Sequence, residues 1–71
     1  MSKAYIKCQC QFMASTQDAV LVQPITPFIG PRWIPNKFLS EESIATAFYA
    51  AWSQKIEIEV QEWKAKQARL I

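Results

Sequence analysis

Ala4-Tyr5-Ile6-Lys7-Cys8-Gln9-Cys10-Gln11-Phe12 alternates strictly: Ala4, Ile6, Cys8, Cys10 and Phe12 share one side, and Tyr5, Lys7, Gln9 and Gln11 share the other. A period of two held over such a length marks a half-buried β-strand. The same period returns at Lys55-Ile56-Glu57-Ile58-Glu59-Val60, where Ile56, Ile58 and Val60 are apolar and the intervening positions are charged. Between these, Ala19-Val20-Leu21-Val22 is a more continuous apolar strand, reached through the polar turn Ser15 to Asp18. The first two strands are therefore expected to pair as an antiparallel hairpin. Arg32-Trp33-Ile34 reads as a short third strand that Pro35 ends, because proline donates nothing to a ladder.

The segments around these strands have their own signals. Pro24 to Pro31 holds three of the four prolines and the sole glycine. It is expected to be an extended connection with a turn at Gly30-Pro31, its tip residues Phe28 and Ile29 either tucked into the core or exposed as a contact loop. Leu39-Ser40-Glu41-Glu42-Ser43-Ile44 reads as a helix start. Ser40 can cap free amides, Glu41 and Glu42 suit the positive end of the helix dipole, and Leu39 and Ile44 occupy the positions of a hydrophobic staple. Ile44, Phe48 and Trp52 then recur every four residues with Ala47 and Ala51 beside them, a stripe whose favoured role is core packing. The tail from Gln61 to Ile71 reads as a short helix, with Trp63, Gln67 and Leu70 on one side. Together these predict an α+β fold in one domain, residues 1–71. It is a small antiparallel sheet or partly open barrel of about four strands, with an inserted amphipathic helix and a short C-terminal helix.

At 71 residues the chain buries only about 60% of the surface it exposes unfolded, so it gains from any extra source of stability. Cys8 and Cys10 are its two cysteines. On one strand face they stand about 7 Å apart along the chain, a poor geometry for a disulfide. The N-terminus shows no apolar export segment, so two reduced thiols buried in the core of a cytoplasmic protein are expected. With no histidine, a structural metal site lacks ligands, and no stretch has the length of a membrane span. No cofactor is implied.

Three further segments share an order. Thr16-x-x-Ala19-Val20-Leu21-Val22, then Trp33-Ile34-Pro35, then Ile56-Glu57-Ile58-Glu59-Val60-x-Glu62-Trp63-x-Ala65 resemble a family of small proteins carried by phages and mobile elements. The resemblance implies a compact β-rich domain in a phage or mobile-element setting, acting in the host cytoplasm, and it brings no activity with it. The chain departs from the family where Lys-Ser after the proline becomes Asn36-Lys37, and where the proline before the Glu-Trp pair becomes Gln61. Glu41 to Gln54 is a helical insertion in place of a short polar linker.

Catalysis is not expected. The commonest general base is absent, one glycine cannot build a phosphate loop, and the cysteines have only Lys7 nearby, on the opposite strand face. Two binding functions remain. In the favoured one the chain binds a protein, either a host complex that it blocks or redirects or a second copy of itself as a homodimer. Its support is the aromatic load of three Trp, four Phe and two Tyr, and its candidate contacts include Tyr5, Phe28, Ile29, Arg32, Trp52 and Trp63. In the other, Tyr5 stacks nucleic-acid bases while Lys3, Lys7, Arg32 and Lys37 hold phosphates. Residues 1–40 carry these four cations against Asp18, a net +3; residues 41–71 carry four cations against five carboxylates, a net −1. The total of +2 is too small to argue for nucleic acid unaided.

Overall fold

The computed structural model describes residues 4–25 and 29–70. β1 (Tyr5–Ser15), β2 (Ala19–Pro24), β3 (Arg32–Pro35) and β4 (Lys55–Gln61) form one antiparallel sheet in the order β3-β2-β1-β4. A 3-10 turn (Asn36–Phe38) and helix α1 (Glu41–Tyr49) lie between β3 and β4, and helix α2 (Glu62–Gln67) follows β4. The expected fold class, strand number, inserted helix and short C-terminal helix are all present.

β1 is the centre of the design. Tyr5 to Gln11 pair with β4 and Cys10 to Ser15 pair with β2, so the strand serves one neighbour with its first half and the other with its second. It runs past Phe12 through a bulge between Phe12 and Ala14. A bulge inserts one unpaired residue and bends the strand. Here it shifts the alternation, so Phe12 pairs with Val22, Ala14 with Leu21 and Ser15 with Val20. The hairpin turn is built by Thr16, whose hydroxyl accepts from Ala19 N–H at 3.1 Å while its own N–H donates to the Ala19 carbonyl at 2.8 Å.

One face of this sheet is the core. Cys8, Cys10, Phe12, Val20, Val22, Ile34, Ile56, Ile58 and Val60 line it, and Leu39, Ala47, Ala65 and Leu70 cover it. Each large aliphatic side chain removed from water here is worth about 1.5–3 kcal/mol.

Both sheet edges are protected. Leu39 bridges Val60, Ser40 N–H donates to the Glu59 carbonyl at 3.2 Å, and Glu59 N–H donates to the Ser43 hydroxyl at 2.6 Å. These contacts satisfy the outer side of β4 around Glu59. At the other edge β3 is four residues long, with Pro31 before it and Pro35 at its end. Short strands and prolines are standard protection against edge-to-edge pairing.

The same bonds set the orientation of α1 and correct the expected stripe. Ser40 caps the helix by accepting from Ser43 N–H. Its hydroxyl also meets Ser43 Oγ at 2.8 Å and Glu59 Oε1 at 3.0 Å. With Ser43 tied to β4, the face that follows it one turn later carries Ala47, and these two are the fully buried residues of the helix. Ile44 packs at the margin of the core and Leu39 is buried, in keeping with the staple. Phe48, about 100° further round than Ala47 at 3.6 residues per turn, points outward and is 75% exposed. The helix ends at Tyr49, so Trp52 is in the following turn and not on the helix; it is 73% exposed.

α2 is also shorter than expected, and it buries Ala65 while Trp63 and Gln67 face outward. Leu70 reaches the core by a different route. Leu70 N–H donates to the Ala65 carbonyl and Arg69 N–H to the Lys66 carbonyl, with Arg69 at φ 61°. This is a Schellman ending with arginine where glycine is usual, and the buried Ala65 and Leu70 supply its apolar contact.

Candidate functional site

The described surface offers three separate groupings of exposed side chains. The first is the face of the sheet away from the core. Tyr5 and Lys7 lie there, as expected, but β4 brings carboxylates to meet them. Lys7 is directly opposite Glu59, and Gln9 is opposite Glu57 and donates to its carboxylate at 2.7 Å. Arg32 is not part of this face. It pairs with Val22 on the core side, where its guanidinium donates to the carbonyls of Ala68, Gly30 and Pro31 at 3.2–3.3 Å. Its Nε bond ties β3 to the end of α2, and its Nη1 bonds hold the loop before β3. Trp33, paired with Leu21 at the far edge, is 51% exposed. Its outward direction follows from the burial of its neighbour Ile34, a signal available in the alternation itself.

The second grouping joins two of the expected residues. Trp63 stacks edge-on against Phe38 with centroids 4.9 Å apart, and its indole N–H donates to Gln61 Oε1 at 2.9 Å. Lys37 and Lys64 place their ammonium groups 5.2 and 5.3 Å from the Phe38 ring centre, within cation–π range. Phe38 and Lys64 were not singled out from sequence, because nothing local shows that the turn after β3 meets the start of α2.

The third grouping is at the C-terminal end of α1. Phe48 and Tyr49 meet edge-on at 5.0 Å, Tyr49 is 82% exposed, and Trp52 follows in the turn. The stretch from Ser43 to Gln54 carries no charge. Beside Phe48 a groove of about 420 Å³ opens between α1 and the β1–β2 turn. Val20, Ile44, Ala47 and Phe48 give it an apolar wall, while Thr16, Gln17 and Asn36 give it a polar end. Asn36 Nδ2 donates to the Gln17 carbonyl at 3.2 Å, but its buried Oδ1 has no hydrogen-bond partner among the described residues.

Of the remaining expected residues, Phe28 lies outside those described. Ile29 is half-buried and its carbonyl accepts from the Gln23 side chain, so it is tied to β2.

The thiols are in the core. Cys8 and Cys10 are free, and burial raises both above the ordinary thiol value of 9.0, Cys10 to about 12. A raised thiol pKa means that the fold favours the protonated form. That contribution is complete below pH 9.0 and is lost as pH climbs from there toward 12. Iodoacetamide at pH 8 is expected to label neither cysteine in the native protein and both in denaturant. Rapid native labelling would show that the thiols are not buried.

Among the described residues no cluster of three or more His, Cys, Asp or Glu stands together as a metal site, and no helix is long and apolar enough to cross a membrane. No protein-family model, curated protein or solved structure matches the chain.

Proposed function

We propose that this chain is a non-catalytic protein-binding module whose contact surface is the aromatic end of α1. The observation that carries this reading is the exposure of Phe48, Tyr49 and Trp52 at 75, 82 and 73%. Side chains of this kind are the ones a small domain most needs inside, and their loss to solvent is a standing cost unless something covers them. Trp and Tyr are also the residues most enriched at interface hot spots, and the groove beside them supplies the pocket that such anchors pair with. Protected sheet edges further favour recognition through side chains over strand addition.

Catalysis is a poor fit, since the chain has no histidine and its thiols are buried and protonated. The resemblance to phage and mobile-element proteins makes a host complex in the cytoplasm a natural target, with blocking or redirection as the effect. A second copy is the other polypeptide that the surface can serve. The nucleic-acid alternative is weakened by Glu59 opposite Lys7 and by the internal use of Arg32.

Capture from a host lysate, followed by mass spectrometry, tests the proposal. Tagged wild type is expected to retain a protein that the Phe48→Ser/Trp52→Ser variant releases. Retention that is equal in both, or that falls steeply with salt and nuclease treatment, would move the function to another surface or to nucleic acid.

A further inference from the structure

We propose that the chain carries a second site, where Phe38 and Trp63 meet beside the end of β4, and that it takes single-stranded nucleic acid. A base stacks on Trp63 while Lys37 and Lys64 hold phosphates. The site goes beyond the protein-binding reading and lies at the other end of β1. Glu62 N–H donates to the Ala4 carbonyl just ahead of that strand, whereas the turn holding Trp52 is bonded to Phe12. At the strand rise, Ala4 and Phe12 stand about 26 Å apart.

Charge is the first observation. Lys37 comes from the turn after β3 and Lys64 from α2, yet both ammonium groups lie against the one Phe38 ring, 5.2 and 5.3 Å from its centre. The sole ion pair among the described residues joins Lys66 to Glu62, so neither Lys37 nor Lys64 is neutralised by a carboxylate there. Lys37 is exposed, and Lys64 spends one of its donors on Gln67 Oε1 at 2.9 Å, which leaves it two. Lys7 is different, because Glu59 faces it across the ladder. Two cations gathered without a counter-charge complement an anion.

The second observation is a ring held ready for stacking. Trp63 is 54% exposed, and its orientation is fixed both by the edge-on contact with Phe38 and by the bond from its indole N–H to Gln61 Oε1 at 2.9 Å. Gln61 is itself buried, and its amide donates to the Lys37 carbonyl at 3.4 Å. One side chain thus positions both the ring and the segment that brings a cation. With the indole N–H already used, what Trp63 still offers is its π-face. Tyr5, the partner of Gln61 across the ladder and 40% exposed, adds a second ring at the border of the site.

These features choose between anions. An acidic peptide would use the lysines and leave the indole face idle. A single strand uses both, since its bases stack on aromatic rings and its phosphates pair with flanking cations. A duplex keeps its bases stacked on one another.

Fluorescence anisotropy of a labelled oligodeoxythymidylate of about 12 nucleotides, within the usual site sizes, is the test. Wild type is expected to bind at about 20 mM salt, with a slope of log affinity on log salt of about −1.4, the value for two phosphates on a single strand. Lys37→Gln/Lys64→Gln should flatten that slope. Trp63→Leu keeps an apolar side chain over Phe38 but has no π-face, so it should weaken binding roughly tenfold and leave the slope unchanged. Circular dichroism should be the same for all. Phe48→Ser/Trp52→Ser should bind the strand as wild type does, which separates this site from the protein-binding surface. No binding at low salt overturns the proposal, as does a lysine variant with the wild-type slope or a Trp63→Leu variant of unchanged affinity. Loss of the strand from Phe48→Ser/Trp52→Ser also overturns it. Displacement by polyglutamate as readily as by unlabelled oligonucleotide would overturn it in favour of an acidic protein.

Discussion

Ile58→Ala is expected to cost about 2–5 kcal/mol and to lower the melting temperature by on the order of 20 °C. Ile58 is fully buried in β4, opposite Cys8 of β1, at the centre of the sheet's core face. Truncation removes the transfer free energy of the lost carbons and leaves a void between strands that hydrogen bonding holds in place, so collapse around it is limited. The loss weighs heavily here because a chain of this length has only about 4–10 kcal/mol of stability, at 0.05–0.15 kcal/mol per residue. Thermal and urea unfolding followed by circular dichroism would measure it. A loss below 1 kcal/mol would mean that the face lined by Cys8, Cys10, Ile56 and Ile58 is not the principal core.

The opposite expectation holds for the aromatic end of α1. Replacing Phe48, Tyr49 and Trp52 together by serine should leave stability within about 0.5 kcal/mol per site, as for other exposed positions. Partner binding should fall by at least about thirtyfold, since a hot-spot aromatic contributes 2 kcal/mol or more. The contrast between the two variants is informative. One change of a buried aliphatic residue should remove about half of the stability, while the loss of three much larger side chains should leave the fold intact and only the function impaired. A triple variant that unfolds would return these aromatics to the core and remove the basis of the proposed function.

Much of the fold was legible in the sequence because its strands carry their period openly. Ala4 to Phe12 and Lys55 to Val60 declare which residues face the core, and the cap at Ser40 marks the start of α1. The bulge was not legible: the alternation lapses at Met13, and only pairing with β2 shows that Ser15, not Ala14, continues the core face. The orientation of α1 was misread for a comparable reason. Ile44, Phe48 and Trp52 form the more hydrophobic stripe, yet the Ser43 hydroxyl that accepts from Glu59 N–H turns the Ser43–Ala47 side inward. The helix meets the sheet through its two small residues, with Ser43 bonded to β4, and one sequence does not show that pairing. The surroundings of the candidate residues were legible only in part. Trp52 and Trp63 are exposed, whereas Arg32 is bonded to Ala68, far along the chain, and Ile29 to the side chain of Gln23 close by.

The three tryptophans report separately on the three surface groupings: Trp33 on the outer sheet face, Trp63 beside Phe38, and Trp52 at the end of α1. Their indole N–H resonances, followed by NMR while the captured partner is added or the chain's own concentration is raised, therefore locate the contact directly. The Trp52 signal is expected to shift and broaden while those of Trp33 and Trp63 hold their positions. Movement of Trp33 or Trp63 with Trp52 unchanged would contradict binding through the aromatic end of α1.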